Sequence, residues 1–485
     1  MNRLWMTLFL IGGMIQGTVG FLNESFCQDQ MLVSENPEAE TVIISQKNNE
    51  VSLEPEKKPK LEEIAPEATP ISGLLQFHQK KDQLFMELTS AHLNTDFIII
   101  ISIARGLGDS SLYGGMSWDF GEDMIWQFRK VNDRIQIVRR NFRYQAPPGT
   151  PESKAIQTAF TDSILYSLPI VATGPNGGDV IDLSSIFMSD LPMISSYALP
   201  GFSFARERST WKSIKGLKEN MELEISATYA GSRTAQIETV MDARGISIDV
   251  HYSISRLPNT GYQPRLADER VGYFNTVLKD FSKNDEENNF VRYINRWNLQ
   301  KLEPNAQYSL PKKPIVFWLE KTIPYQYRKP IRDGILEWNK AFERAGFYNA
   351  IEVRQQEDND EWDPEDINYN TIRWSTAGIG FAIGPSRVNP MTGEILDADV
   401  VLDVGFINSW NRTFELYSSD DLAKQFCGEA SLTNMMFDSN QSDSFYRRHN
   451  EGINERLYMS QQMGFAETFF DVMACEDPKP EEPKP

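Results

Sequence analysis

The stretch from Lys313 to Val404 constrains the chain most, because it specifies a strand, an amphipathic helix and three further strands in that order. Lys313 to Glu320 (Lys-Pro-Ile-Val-Phe-Trp-Leu-Glu) is a short run rich in β-branched and aromatic residues and flanked by prolines, which predicts a buried strand. Pro330 sits near the start of the helix, where its missing N–H costs nothing. Ile331, Ile335, Trp338, Phe342 and Ala345 then recur at helical spacing until Gly346 offers a stop. Ala350 to Arg354 and Thr371 to Ser375 read as strands, and the glycine-rich apolar stretch Gly378 to Gly384 suits a sheet edge. From Glu394 to Val404 alternation puts Leu396, Ala398, Val400, Leu402 and Val404 on one face and Asp397, Asp399 and Asp403 on the other.

The polar residues of this stretch admit more than one use. Asp397, Asp399 and Asp403 read as the wet face of a strand near a sheet edge, although carboxylates at alternating positions would also serve a metal or general acid/base chemistry. Asp358 to Asp366 (Asp-Asn-Asp-Glu-Trp-Asp-Pro-Glu-Asp) reads as a solvated acidic loop or a calcium site. An EF-hand is excluded, because its sixth position needs Gly and its twelfth Glu, where this chain has Asp363 and Tyr369. Trp318, Trp338, Phe342 and Trp374 fall at core periodicities and predict packing.

Upstream, Met1 to Gly20 has a basic Arg3, a glycine-broken apolar core and small residues near Val19, which predicts a secretory signal peptide, with an uncleaved anchor as the other reading. Residues 21 to about 70, rich in Glu, Pro, Asn and Lys, predict a disordered tether, with order starting near Gly73. A small β domain is expected over 71–120 and a β-rich accessory domain over 121–305, the two sharing a sheet through the apolar run Ile98 to Ile101. Leu74 to Leu88 and Phe97 to Ala104 read as strands, and Met124 to Phe128 with Arg134 to Val138 as a hairpin turning at Val131-Asn132-Asp133. Helices are expected near Lys154 to Tyr166 and Ser209 to Lys215. Met221 to Tyr229, Ala235 to Met241 and Ser247 to Leu257 are strand candidates. His251 reads as a sheet histidine facing solvent or bonded to a backbone group, and the same reading covers His78, His92 and His449.

Several separate blocks, in order, resemble the first half of a metzincin-type zinc metalloprotease domain. They are Lys-Pro-Ile-Val-Phe, Ile-Arg-Asp-Gly-Ile-Leu-Glu-Trp-Asn-Lys-Ala-Phe-Glu-Arg-Ala-Gly-Phe, Trp-Asp-Pro-Glu-Asp-Ile, Ile-Arg-Trp and Pro-Met-Thr-Gly-Glu-Ile-Leu-Asp-Ala-Asp. Ile103 to Gly108, Pro264 to Phe274 and Arg292 to Trp297 extend the resemblance to large secreted bacterial proteases with uncharacterised N-terminal domains. That resemblance implies an upper catalytic subdomain over 306–410, a helical insertion over 411–475, and an acidic Pro-rich tail over 476–485 that resembles the linker before the zinc helix. It also implies zinc in full-length relatives. The zinc helix carries H-E-x-x-H, two histidines one turn apart with the Glu as general base. None of the four histidines of this chain is followed by Glu, and the expectation is no zinc site and no cofactor within it.

A net charge of −20 argues against nucleic-acid or anionic-membrane partners, and three cysteines are too few for a disulfide framework, leaving one Cys427 to Cys475 bridge as an option. The fold class expected is α+β: β-rich N-terminal domains, the upper mixed-sheet half of a metzincin-like domain, and helices whose apolar faces lack cover. Two function classes lead: the non-catalytic portion of a secreted or periplasmic zinc metalloprotease, and a secreted module that binds peptide or protein without catalysis. A different hydrolase using the strand carboxylates ranks third, since no nucleophile or oxyanion donor accompanies them. In metzincin-type proteases the edge strand corresponding to Gly380, Phe381, Ala382 and Ile383 pairs with an extended substrate, so these four are the candidate substrate-binding residues; an ordinary covered edge is the competing reading.

Overall fold

Alternating apolar residues in long strands build the largest element, a nine-stranded sheet whose path runs Ser203–Phe204, Asn220–Ala230, Ile246–Arg256, Asp96–Arg105, Met124–Val131, Arg134–Arg139 and Ser163–Pro169. The remaining two strands, Thr210–Gly216 and Met116–Ser117, pair with Asn220–Ala230 and Asp96–Arg105 respectively. The computed structural model describes residues 58–118, 124–282 and 289–418, omitting side chains of 412–418. The two expected β regions share this sheet, since Asp96–Arg105 lies between Ile246–Arg256 and Met124–Val131.

One face of the sheet is apolar. Phe97, Ile99, Ile101, Leu223, Val250 and Tyr252 are buried there against Phe77, Leu84, Met86 and Leu88 of a second, five-stranded sheet and against Phe187. Trp126 is fully buried in the same layer, edge-on to Tyr166, and its indole N–H has no hydrogen-bond partner. Because that N–H is already unsatisfied, Trp126→Phe removes a penalty along with some volume. We expect the substitution to cost less than about 2 kcal/mol in urea denaturation, below the usual loss for shrinking a core aromatic.

The other face of the nine-stranded sheet carries Ser102, Glu222, Asp249, His251 and Ser253, all buried. A third, mixed sheet meets it, in the order Ile351–Gln355, Ile315–Leu319, Asn370–Ser375, Val400–Asp403 and Ala382–Ile383. The first four strands are parallel and the last is an antiparallel edge. The helix Tyr325–Arg344 packs Ile331, Ile335, Leu336 and Phe342 on the far face of this sheet, over Ile315, Leu319, Ile351 and Val353. Period-two alternation then turns Glu320, Thr371, Arg373 and Asp403 toward the nine-stranded sheet.

Several expectations are corrected. Residues 58–70 of the expected tether are structured: Leu61 and Ala65 of a short helical segment are buried against Phe85, Ala172 and Val180, and Thr69–Ser72 pairs with Gln76–Lys80. Leu74 to Leu88 is a hairpin rather than one strand, turning at Lys81 with φ +53°. Ser209 to Lys215 is a strand because Trp211 and Ile214 cover the core while pairing with Asn220–Ala230. Ala235 to Met241 is turn and coil, with Ile237 and Val240 packed from irregular backbone. The expected helix near Lys154 to Tyr166 ends at Ala159, and Ser163–Pro169 is the terminal strand. Trp338 points outward, 51% exposed, while Trp318 and Trp374 stay half-buried in aromatic stacks. Beyond the helix Val404–Ser418, the expected insertion and tail lie outside the described residues, as do the signal peptide, His449 and the three cysteines.

Candidate functional site

The four candidate residues lie together at the end of the mixed sheet. Ala382 pairs with Leu402 and Ile383 with Val401, and no described strand pairs with their other side. Ala382 is exposed, and Phe381 is 39% exposed beside it. The loop that leads in turns at Gly378 (φ +71°) and Gly380 (φ +80°), in the left-handed region where a side chain is strained. Asp403 fixes this loop. Its buried carboxylate accepts N–H bonds from Gly378 (3.1 Å), Gly380 (3.1 Å) and Gly405 (2.8 Å), so one residue ties the loop to the sheet and bonds the second residue of the following helix. What this arrangement offers chemically is a two-residue extended edge, Ala382–Ile383, whose outward main-chain groups meet no described strand, next to a glycine loop whose N–H groups are taken by Asp403.

Beside this edge lies a buried polar interface between the mixed and nine-stranded sheets. Arg387 donates through one terminal nitrogen to Asp397 (2.5 Å) and Asp399 (3.0 Å), and through the other to Ser102 and Ser117 (3.2 Å each). Thr371 closes the group by donating to Asp399 from its hydroxyl (2.6 Å) and its N–H (3.1 Å). Burial first, and then the neighbouring Asp399, push the Asp397 carboxyl well above the usual range against the pull of Arg387. Asp397, Asp399 and Asp403 are therefore not a wet face; each is buried on guanidinium, hydroxyl or backbone donors. The alternation read as one strand is two, Glu394–Ala398 and Val400–Asp403, in different sheets.

A second polar group centres on His251, which is buried rather than solvent-facing. Its Nε2 lies 3.2 Å from Glu222 and 3.8 Å from Asp363, close enough for charge attraction but outside hydrogen-bond alignment. Asp363 also pairs with Lys215 (2.8 Å), and Glu365 with Arg373 (2.7 Å), so the acidic loop ends in docked carboxylates; only its first residues are exposed. His78 is likewise buried, 3.7 Å from Glu87, and burial lowers its pKa. His92 accepts from the N–H of Thr89 in a turn.

Among the described residues no group of three or more His, Cys, Asp or Glu is arranged to hold a metal ion, and no helix is long and apolar enough to cross a membrane. The sequence reading missed Asp403 as the anchor of the edge loop, and it missed Glu222, Asp363 and Arg387 altogether as interface residues. An Asp directly before a helix start is a local capping signal and would have found Asp403. The interface has no comparable signal.

A family model described as a domain of unknown function, DUF5117, matches residues 119–302. That span takes in most of the nine-stranded sheet and stops before the mixed sheet that carries the candidate edge. No curated protein and no solved structure matches the chain.

Proposed function

We propose that this chain is the non-catalytic, substrate-aligning portion of a secreted zinc-dependent metalloprotease, and that the edge strand at Gly380 to Ile383 receives an extended peptide. The observation that carries the proposal is the antiparallel edge Ala382–Ile383, unpaired on its outer side among the described residues and shaped by a glycine loop tied to Asp403. Main-chain pairing along such an edge gives affinity, and the side-chain surroundings of alternate peptide residues give preference. Among the described residues His78 lies 3.7 Å from Glu87, His251 lies 3.2 Å from Glu222, and His92 accepts from Thr89 in a turn; this reading assigns zinc to none of them. Hydrolysis in this reading belongs to residues this chain does not contain, and the chain by itself aligns peptide without cleaving it.

Ala382→Pro removes one main-chain donor and constrains the backbone of the two-residue edge strand, at an exposed position outside the apolar clusters. We expect it to abolish peptide binding measured by isothermal titration, with the thermal midpoint kept near wild type. Unchanged affinity in Ala382→Pro would dispose of the edge as the binding site.

A further inference from the structure

We propose that His251 and the carboxylates around it form an alkaline-release latch, closed while the imidazole is protonated, that docks the loop from Gln356 to Tyr369 onto the nine-stranded sheet. The geometry places every part of such a device. His251 stands on Ile246–Arg256, the strand at the heart of the sheet, where it opposes Glu224 on one side and Ser102 on the other. Its imidazole meets Glu222 of the neighbouring strand at 3.2 Å and Asp363 of the loop at 3.8 Å, so it lies between a carboxyl group of the sheet and a carboxylate of the loop. Asn220 and Ser253 both donate to the same oxygen of Glu222, which leaves the other oxygen facing His251.

The charged groups that face this centre come from the nine-stranded sheet, the loop and the mixed sheet. The sheet supplies Glu222 and, from Thr210–Gly216, Lys215, which binds Asp363 (2.8 Å) and the Glu361 carbonyl (2.7 Å). The loop supplies Asp363, Glu365 and Asp366, the last held by Asn220 at 2.7 Å. The mixed sheet supplies Arg373, paired with Glu365 at 2.7 Å and lying 3.5 Å from Glu320, which follows Ile315–Leu319. Carboxylates thus outnumber the two permanent cations, Lys215 and Arg373, and the imidazolium offsets part of the excess. Deprotonating it leaves buried carboxylates facing one another across the seam.

Titration runs in the direction the geometry requires. Burial alone would lower His251, yet Asp363, Glu222 and Glu365 outweigh it and push it up to about 9 from an ordinary 6.5. Burial pushes Glu222 up to about 8 from 4.5, against the pull of His251. Both groups hold protons in the docked state that the undocked chain has released. Docking strength supplied by His251 is therefore full below about 6.5 and lost as pH rises through 9, and Glu222 weakens docking over the range from about 4.5 to 8. Asp366 is raised chiefly by burial and acts in the same sense. Asp363 and Glu365 are lowered by their cationic neighbours in spite of burial, so their share is lost only in stronger acid. The latch is tightest in mild acid and opens toward alkaline pH.

Hydrogen exchange of the full chain, corrected for the intrinsic rate at each pH, tests this. Protection of amides between Gln356 and Tyr369 should fall at least about tenfold from roughly pH 6 to roughly pH 9, while Ile246–Arg256 keeps its protection. In His251→Gln the loop should exchange faster at the lower pH, with only the smaller pH dependence owed to Glu222 remaining. Glu222→Gln, which keeps an oxygen for Asn220 and Ser253, should shrink the pH dependence without loss of fold. Wild-type protection that does not change with pH, or a pH dependence of undiminished size in both variants, would overturn the latch.

Discussion

Replacing Arg387 with methionine is expected to destabilise the protein by about 3–5 kcal/mol, the cost of stranding buried carboxylates when their cation is removed. Among the described residues Arg387 is the guanidinium that bonds Asp397 and Asp399, and its second nitrogen reaches Ser102 and Ser117 of the nine-stranded sheet. Methionine fills much of the volume, so the loss reports charge and hydrogen bonds rather than a cavity. Asp397 has one oxygen already without a hydrogen-bond partner, and burial favours its protonated form. It therefore adapts more easily than Asp399, which remains tied to Thr371. A second change, Asp397→Leu on the Arg387→Met background, should recover part of the loss by removing one orphaned acid. Urea denaturation with an unchanged m-value measures both. A loss below about 1 kcal/mol in the single variant would mean that the interface is hydrated and the guanidinium dispensable.

Asp403→Ala is expected to cost about 2–4 kcal/mol and to weaken peptide binding at least about tenfold, because three backbone donors lose one acceptor together. The bond to Gly405 lies at the start of the helix Val404–Ser418, and the bonds to Gly378 and Gly380 hold the loop that leads into the edge. Without them the left-handed turns at Gly378 and Gly380 have no side-chain restraint, and a peptide must order the loop as it binds. Asp403→Asn separates the two roles, since an amide keeps one acceptor and loses the other. Its affinity should lie between those of wild type and Asp403→Ala. Equal peptide affinity in all three would show that the edge does not depend on this anchor.

What the sequence disclosed follows from how local each signal is. The strand Ile315–Leu319, the helix Tyr325–Arg344 and the hairpin around Asn132 were legible because apolar period and turn chemistry sit within a few residues. The edge at Ala382–Ile383 was legible for the same reason, through its glycines. Alternation in Glu394 to Val404 located the strands but not their lining, because period two says that two faces differ and nothing of what covers each. There the residue Asp399 separates two strands, so that Leu396 packs with Ile98 and Ile100 while Val400 and Leu402 pack beneath the helix. His251 looked solitary because its partners Glu222 and Asp363 are distant in sequence and meet it only when two sheets close. Ser209 to Lys215 carries no strong period of its own and takes its strand form from pairing with Asn220–Ala230.

The measurement that bears most directly on the proposed function is to select binders from a random heptapeptide pool on the purified chain and map their footprint by hydrogen exchange. The account predicts retained peptides that protect the amides of Gly380 to Ile383 and that Ala382→Pro no longer retains. A wild-type chain that retains no peptide, or retains peptides whose footprint lies away from this edge, would contradict it.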